Sequence, residues 1–142
     1  MSPILHVELA AQPDAAVRSR RVTGRWLTSL CGGERPCATA QDLVLAVNEA
    51  VSNSAEHAYD GDPSGVVVLH GTAEGSSVRL QVSDHGRWRD PPADPGFRGR
   101  GLNMIEAMTE EARVDHGPDG TTVSFCGTLG RCPGACTGSR QF

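Results

Sequence analysis

Three polar residues recur at intervals of four within one apolar stretch of the chain. Glu49, Asn53 and His57 place a carboxylate, a carboxamide and an imidazole at positions i, i+4 and i+8, among apolar neighbours such as Val47 and Val51. An α-helix repeats about every 3.6 residues, so these three side chains lie along one slowly drifting stripe. If the stripe is buried, each polar group needs a hydrogen-bond or metal partner, because unpaired buried polar groups are costly. The alternative is a solvated helix face opposite a packed one.

The composition limits the class of protein in which these groups could work. The 142 residues suit one domain, and 38% hydrophobic with 21% charged residues is ordinary for a soluble fold. The net charge of −4 and the scattered Lys and Arg residues give no basic surface for nucleic acid. The sequence has no stretch typical of a membrane span or a signal peptide. We therefore expect a cytoplasmic protein that binds neither nucleic acid nor membrane.

The cysteine content argues against a disulfide framework. An odd number of cysteines without a secretion signal favours free thiols. A metal site is the alternative, formed by Cys132-x3-Cys136 with two upstream cysteines, but this spacing fits no common zinc pattern. The five cysteines are Cys31, Cys37, Cys126, Cys132 and Cys136.

The first half of the chain predicts one strand and two helices. Alternating apolar residues indicate a strand over 4–9. A helix opens at Pro13 and Asp14 and ends before Gly32-Gly33, which favours a helix stop. The sequence Thr39-Ala40-Gln41-Asp42 resembles a capping box and predicts a second helix from there to about Ala58.

The second half predicts four strands, a long loop and a short helix. Two valine-rich segments, 65–73 and 77–83, are separated by a hairpin turn at Glu74-Gly75-Ser76. Residues 84–100 show no periodicity and contain three prolines, so they predict a loop of the kind that forms functional lids. A short helix over 102–108 and strands over 112–114 and 121–129 follow.

The order β-α-α-β-β-loop-α-β-β predicts an α+β fold. Helices on one face of a mixed, mostly antiparallel sheet form a two-layer α/β sandwich. We expect a single domain over 1–129 and a flexible tail, rich in Gly and Cys, over 130–142.

Two glycine-containing segments flank the predicted loop. Asp84-His85-Gly86 follows a strand, where a carboxylate can accept a hydrogen bond from an exocyclic amine and a glycine permits close approach of a ligand. Gly99-Arg100-Gly101-Leu102 precedes a helix, whose free N–H groups and dipole favour a phosphate. Each is a weak signal alone, because Asp-x-Gly is also a common turn.

The order of these motifs is more specific than any one of them. In order, the chain has a helix with Glu-x3-Asn-x3-His, a strand that ends in Asp-x-Gly, the loop, Gly-x-Gly-Leu and finally Gly120-Thr121-Thr122. This order resembles that of the GHKL ATPase superfamily, which has the Bergerat nucleotide-binding fold. The motif Glu-Ala-Val-Ser-Asn-Ser-x-x-His-Ala-Tyr, which begins at Glu49, looks most like that of the anti-sigma-factor serine kinases. The resemblance covers roughly residues 14–129.

The resemblance implies a role for each matching residue around ATP and Mg²⁺. Asn53 would bind the magnesium ion, and Glu49 would be the general base that deprotonates a hydroxyl for attack on the γ-phosphate. His57 would approach the phosphate or ribose side of the nucleotide. Asp84 would accept from the adenine amino group, and Gly86 would leave room for the ring.

The same resemblance assigns the phosphate contacts and the far side of adenine. The segment from Gly99 through Gly101 to Leu102 would bring backbone amides to the phosphates, and Thr121 would bond near adenine. Arg98 or Arg100 would place positive charge against the triphosphate, or else both are solvated. Trp88 stands where the family commonly has a second glycine after Asp-x-Gly, so the geometry of the loop differs from the family pattern; we favour Trp88 as a shield over the loop rather than a stacking partner.

The resemblance implies an ATP-dependent serine/threonine protein kinase. It would phosphorylate an anti-sigma antagonist and sequester a sigma factor by partner switching. The resemblance also implies a homodimer formed through the sheet edge or the first helix. The first alternative is a nucleotide-gated binding module that transfers no phosphate; Glu49 argues against it, although a glutamate there could also anchor a water. The second is the detached ATPase half of a sensor kinase, against which the missing dimerisation helix and phosphoacceptor histidine region count.

Overall fold

The computed structural model describes residues 4–31, 38–55, 65–85, 105, 108–117 and 120–129. The predicted order of strands and helices is confirmed within these residues. The predicted loop beyond residue 85 and the tail over 130–142 lie outside them, as does most of the predicted short helix, of which residues 105 and 108 are helical. The elements are β1 (Ile4–Ala10), α1 (Ala15–Cys31), α2 (Ala38–Asn53), β2 (Val66–Glu74), β3 (Ser77–Asp84), β4 (Glu111–Gly117) and β5 (Gly120–Thr128).

The five strands form one sheet in the order β1-β2-β3-β5-β4. All four described pairings are antiparallel. The chain places β5 between β3 and β4, so the end of β3 lies beside the start of β5, although many residues separate them in sequence. The predicted α+β sandwich is confirmed, with a sheet that is antiparallel throughout its described pairings.

One face of the sheet carries the core. Along β3, Val78, Leu80 and Val82 are fully buried, whereas the intervening Arg79 is exposed. This alternation follows from the two-residue period of a strand. The buried side chains of the sheet pack with those of α1 and α2, and the core includes Leu9, Leu27, Leu43, Val47, Val51, Val67, Leu69, Ile105 and Phe125.

Each helix meets the sheet at a glycine. A Cβ atom added to Gly71 in β2 would lie 2.9 Å from Cζ3 of Trp26 in α1. A Cβ atom added to Gly127 in β5 would lie 3.2 Å from Cδ2 of Leu43 in α2. The missing side chains at these two positions let both helices approach the strands closely.

Several boundaries differ from the sequence prediction, most clearly those of α2 and β4. The second helix begins at Ala38, so Thr39 lies within the first turn and is not the cap; alanine favours helical backbone strongly enough to join that turn. Its regular part ends at Asn53 and continues as a wider π-type turn over 54–55; the predicted extension to residue 58 lies outside the described residues. The fourth strand spans Glu111–Gly117, longer than predicted, because it pairs along its length with β5 even where its side chains are polar.

Candidate functional site

The C-terminal half of α2 carries two of the predicted site residues. Glu49 and Asn53 are one turn apart and both are half-buried, whereas Ala50 and Val51 are fully buried. The two polar side chains therefore lie at the border between the packed face of the helix and solvent. The Asn48 side-chain amide donates a long hydrogen bond of 3.4 Å to Oε2 of Glu49. Glu49 is thus supported by a neutral donor and still reachable from solvent.

Asp84 is a buried carboxylate at the end of a strand. It is the last residue of β3 and continues the inward-facing series of Val78, Leu80 and Val82, which leaves it 4% exposed. A buried charge without a hydrogen-bond donor would be strongly destabilising. The hydroxyl of Ser54 supplies one such donor, 2.9 Å from Oδ2 of Asp84.

Ser54 is a site residue that our sequence analysis did not assign. It lies within the quoted motif directly after Asn53, and it forms the π-type turn that ends α2. A signal for it was present, because Ser54 follows Val47, Ala50 and Val51 at helical spacing and is therefore expected on the packed face. A hydroxyl on that face needs a partner, and the buried carboxylate is the partner that the fold provides.

Thr121 lies directly opposite Asp84 in the pairing of β3 with β5. Directly opposed residues of an antiparallel pair project to the same face of the sheet, so Thr121 shares the inward-facing side with Asp84. Gly120 precedes it with a φ of 140°, and a Cβ atom at this position would overlap the carbonyl oxygen of Asp84. A glycine is therefore required for the start of β5 to approach the end of β3 this closely.

The other predicted site residues belong to segments outside the described part of the chain. His57 and Gly86 lie outside the described residues, as does the segment 98–102 with Arg98, Gly99, Arg100, Gly101 and Leu102. The structure brings together the end of α2, the end of β3 and the start of β5. These positions hold Glu49, Asn53, Ser54, Asp84 and Thr121.

This arrangement suits a ligand that presents a hydrogen-bond donor to Asp84. A buried, oriented carboxylate is an acceptor for an amino group, and charge-assisted hydrogen bonds of this kind are the stronger ones. The residues present therefore fit adenine at Asp84. Within the described part of the chain, no group of three or more His, Cys, Asp or Glu could hold a metal ion. Asn53 as a single protein ligand fits Mg²⁺, which usually keeps several waters and takes phosphate oxygens.

Comparison with known proteins decides the family. Residues 9–126 match the family described as the histidine kinase-like ATPase domain. The chain belongs to this family. The predicted membership of the GHKL ATPases is confirmed, and the family implies that ATP is the nucleotide.

Two curated relatives of this ATPase domain are named as an anti-sigma factor and as a serine-protein kinase. An anti-sigma F factor of Anoxybacillus flavithermus is 31% identical over 107 residues, which are 67% of this chain and 73% of that protein. The serine-protein kinase RsbW of Listeria monocytogenes is 28% identical over 89 residues, 52% of this chain and 57% of that protein. The predicted likeness to anti-sigma-factor kinases is confirmed by these two matches.

A solved structure supports the same assignment. The crystal structure of the RsbU and RsbW domains of a Mycobacterium tuberculosis protein superposes with a TM-score of 0.72 and 34% identity, and the match covers 90% of this chain. It covers 32% of that solved chain, so this ATPase domain corresponds to about a third of it.

Two further sequence predictions concern free cysteine thiols and membrane-spanning segments. Cys126 in β5 is a free thiol, and the other four cysteines are not described at the level of their side chains. Neither described helix is long and apolar enough to cross a membrane.

Proposed function

We propose that this ATPase domain is an anti-sigma factor with serine-kinase activity. It binds ATP with Mg²⁺, phosphorylates an anti-sigma antagonist on a hydroxyl and sequesters a sigma factor when the antagonist is absent or phosphorylated. The observation that carries the proposal is the buried Asp84 carboxylate at the end of β3, which accepts a hydrogen bond from Ser54, the residue directly after Asn53. The names of the Anoxybacillus and Listeria relatives support the same function.

Different described residues are proposed to bind adenine and the magnesium ion. Asp84 accepts a hydrogen bond from the amino group of adenine, and Thr121 lies beside it on the same face of the sheet. Asn53 offers its amide oxygen to the magnesium ion from the last regular turn of α2. When bound, ATP with Mg²⁺ would supply the γ-phosphoryl group, and ADP would be the leaving group.

Glu49 is proposed to act on the hydroxyl that receives the phosphoryl group. Its carboxylate orients the hydroxyl and accepts its proton as the oxygen attacks. Half-burial suits this role, because an incoming serine of a partner protein must reach the carboxylate. The amide of Asn48 lies 3.4 Å from Oε2 of Glu49, a distance that leaves the carboxylate free to turn toward an incoming hydroxyl.

Partner switching follows if nucleotide and partner binding are coupled. A nucleotide that changes the affinity for one partner is itself bound more or less tightly when that partner is present, by the same factor. We propose that ATP favours the sigma-factor complex and that phosphorylation releases the antagonist. Partner exchange is then set by the nucleotide and by the phosphorylation state.

The test combines nucleotide titration with a phosphoryl-transfer assay. Wild-type protein is titrated with MgATP, and transfer from radiolabelled ATP to each purified candidate antagonist is measured. Glu49→Gln should bind ATP like the wild type but lose transfer, since only the base is removed. Glu74→Gln, at an exposed glutamate of β2, is the matched control and should retain transfer. ATP binding without transfer by wild-type protein to any antagonist would favour the nucleotide-gated binding module instead.

A further inference from the structure

We propose that Ser54 is a positioning residue for base selection. Its hydroxyl fixes the Asp84 carboxylate so that a purine with an amino group at position 6 is preferred over one with a carbonyl oxygen there. The inference rests on the proposed function, because it concerns the same nucleotide site. It adds a residue of this chain to which no role has been assigned.

The hydrogen bond between these side chains is well placed to orient the carboxylate. Ser54 is 7% exposed and Asp84 is 4% exposed, so water has little access to compete for the bond. The distance of 2.9 Å from Oγ to Oδ2 is short enough for a good hydrogen bond. The terminal torsion of an aspartate is broad and roughly two-fold, so an unheld carboxylate samples many orientations. A donor at Oδ2 restricts that rotation.

A fixed carboxylate discriminates between purines by hydrogen-bond polarity. Adenine presents an N–H donor at position 6, which an ionised carboxylate can accept. Hypoxanthine presents a carbonyl oxygen there, which places two acceptors against each other and leaves the buried carboxylate without the bond. Sites built to hydrogen-bond a substrate group reject analogues that lack it, because buried polar groups are then left unpaired.

The position of Ser54 also limits which property should change. Asn53, proposed to bind the metal, is the preceding residue and lies on the border of the packed face, whereas Ser54 is buried. The Ser54 hydroxyl donates to Asp84, the proposed adenine acceptor, whereas the half-buried Asn53 is the proposed metal ligand. Removing the hydroxyl should weaken base selection and leave the magnesium dependence of binding unchanged.

The experiment compares two nucleotides that differ at position 6. Dissociation constants of ATP and inosine triphosphate are measured by calorimetry with excess Mg²⁺, for wild-type protein and for Ser54→Ala. We expect wild-type protein to prefer ATP. In Ser54→Ala the ATP constant should rise about tenfold, the effect of losing one hydrogen bond to a charged group, while the inosine triphosphate constant should change by less than about twofold, since that ligand does not use the oriented acceptor. The ratio of the inosine triphosphate constant to the ATP constant therefore becomes smaller in Ser54→Ala than in the wild type.

Two further variants separate positioning from simple destabilisation. Ser54→Thr retains the hydroxyl and should restore the preference for ATP. Ser54→Cys has nearly the size of serine but a weaker donor, and it should narrow the preference even if Ser54→Ala does not fold. Thermal unfolding without nucleotide shows which variants are folded.

The outcomes distinguish this inference from the proposed function. If wild-type protein binds no ATP, the proposed function fails. If wild-type protein binds ATP and the folded variants keep the wild-type preference, the role of Ser54 is wrong. Equal loss of both nucleotides in Ser54→Ala, or equal binding of both by the wild type, also contradicts the role in base selection.

Discussion

Thr121 of β5 lies directly opposite Asp84 of β3, at the end of the antiparallel pairing between these strands. The pair joins two segments that are far apart in the chain and places a hydroxyl beside a buried carboxylate. The close approach depends on Gly120, whose missing side chain leaves room for the backbone of Asp84. Since Ser54 contacts the same carboxylate from α2, three separate segments converge on Asp84.

Removal of the Asp84 charge should abolish selective ATP binding. Asp84→Asn keeps the shape of the side chain but replaces one acceptor oxygen by a donor, which opposes the amino group of adenine. The dissociation constant for MgATP should rise by at least about tenfold, as for loss of a charge-assisted hydrogen bond. Titration calorimetry measures the change.

The control for Asp84 is an acidic residue elsewhere on the sheet. Asp115 in β4 is exposed and forms an ion pair with Arg113, with Nε and Oδ2 3.2 Å apart. Asp115→Asn should leave ATP binding unchanged, because an exposed ion pair contributes little and lies outside the proposed pocket. Unchanged ATP binding by Asp84→Asn would contradict the adenine assignment.

Substitution of Asn53 should remove the magnesium dependence of nucleotide binding. Asn53→Ala deletes an amide oxygen at the border of the helix and leaves the buried Ala50 and Val51 intact, so the fold should persist. The measurement is the ATP dissociation constant with Mg²⁺ and with a chelator. Gln41→Ala, at the exposed start of α2, is the control and should keep the dependence. Persistence of the dependence in Asn53→Ala would show that another group binds the metal.

Two glycines should respond in opposite ways to alanine. A Cβ atom at Gly71 would lie 2.9 Å from the buried ring of Trp26 and 3.0 Å from Leu80, so Gly71→Ala must displace packed side chains. Overpacking of this kind should lower the free energy of unfolding by about 1–3 kcal/mol. Gly24 in α1 has no atom within 4 Å of an added Cβ, so Gly24→Ala should raise it by about 0.5–1 kcal/mol through helix propensity. Denaturant titration of both variants checks the prediction; a stabilised Gly71→Ala would mean that the contact of α1 with β2 is looser than described.

A buried hydroxyl in α1 should be replaceable with a gain in stability. Within the described residues, Oγ1 of Thr23 is buried and has no hydrogen-bond partner. Thr23→Val keeps the branched shape and removes the unpaired polar atom, which should raise the free energy of unfolding by about 1 kcal/mol. Ser19 is equally buried, but its hydroxyl donates to the carbonyl of Ala16 at 2.7 Å, so Ser19→Ala should give no such gain. Urea unfolding of the two variants separates these expectations, and a loss of stability in Thr23→Val would reveal a partner for the hydroxyl.

Much of the fold could be predicted because local patterns and packing agree. The alternation of Val78, Leu80 and Val82 with polar residues indicates a half-buried strand, and this strand is β3. The strand β4 was predicted too short because its polar residues carry no such alternation; pairing of its backbone with β5 defines its length instead. The start of α2 was displaced by one residue, since a capping pattern competes with the helix propensity of the alanine before it.

The available chemistry is already visible in the amino-acid sequence: a carboxylate and an amide one turn apart in one helix, an aspartate at a strand end, and a glycine–threonine start to the last strand. These are properties of residue type and local spacing. Which of these groups share a site depends on long-range packing, because such packing sets the order β3-β5-β4 and the docking of α2. The hydrogen bond from Ser54 to Asp84 is of this second kind. This hydrogen bond forms because the packed face at the end of α2 and the inward face of β3 bury a hydroxyl and a carboxylate at the same place. Burial excludes water there, so the two groups satisfy each other's hydrogen-bonding capacity.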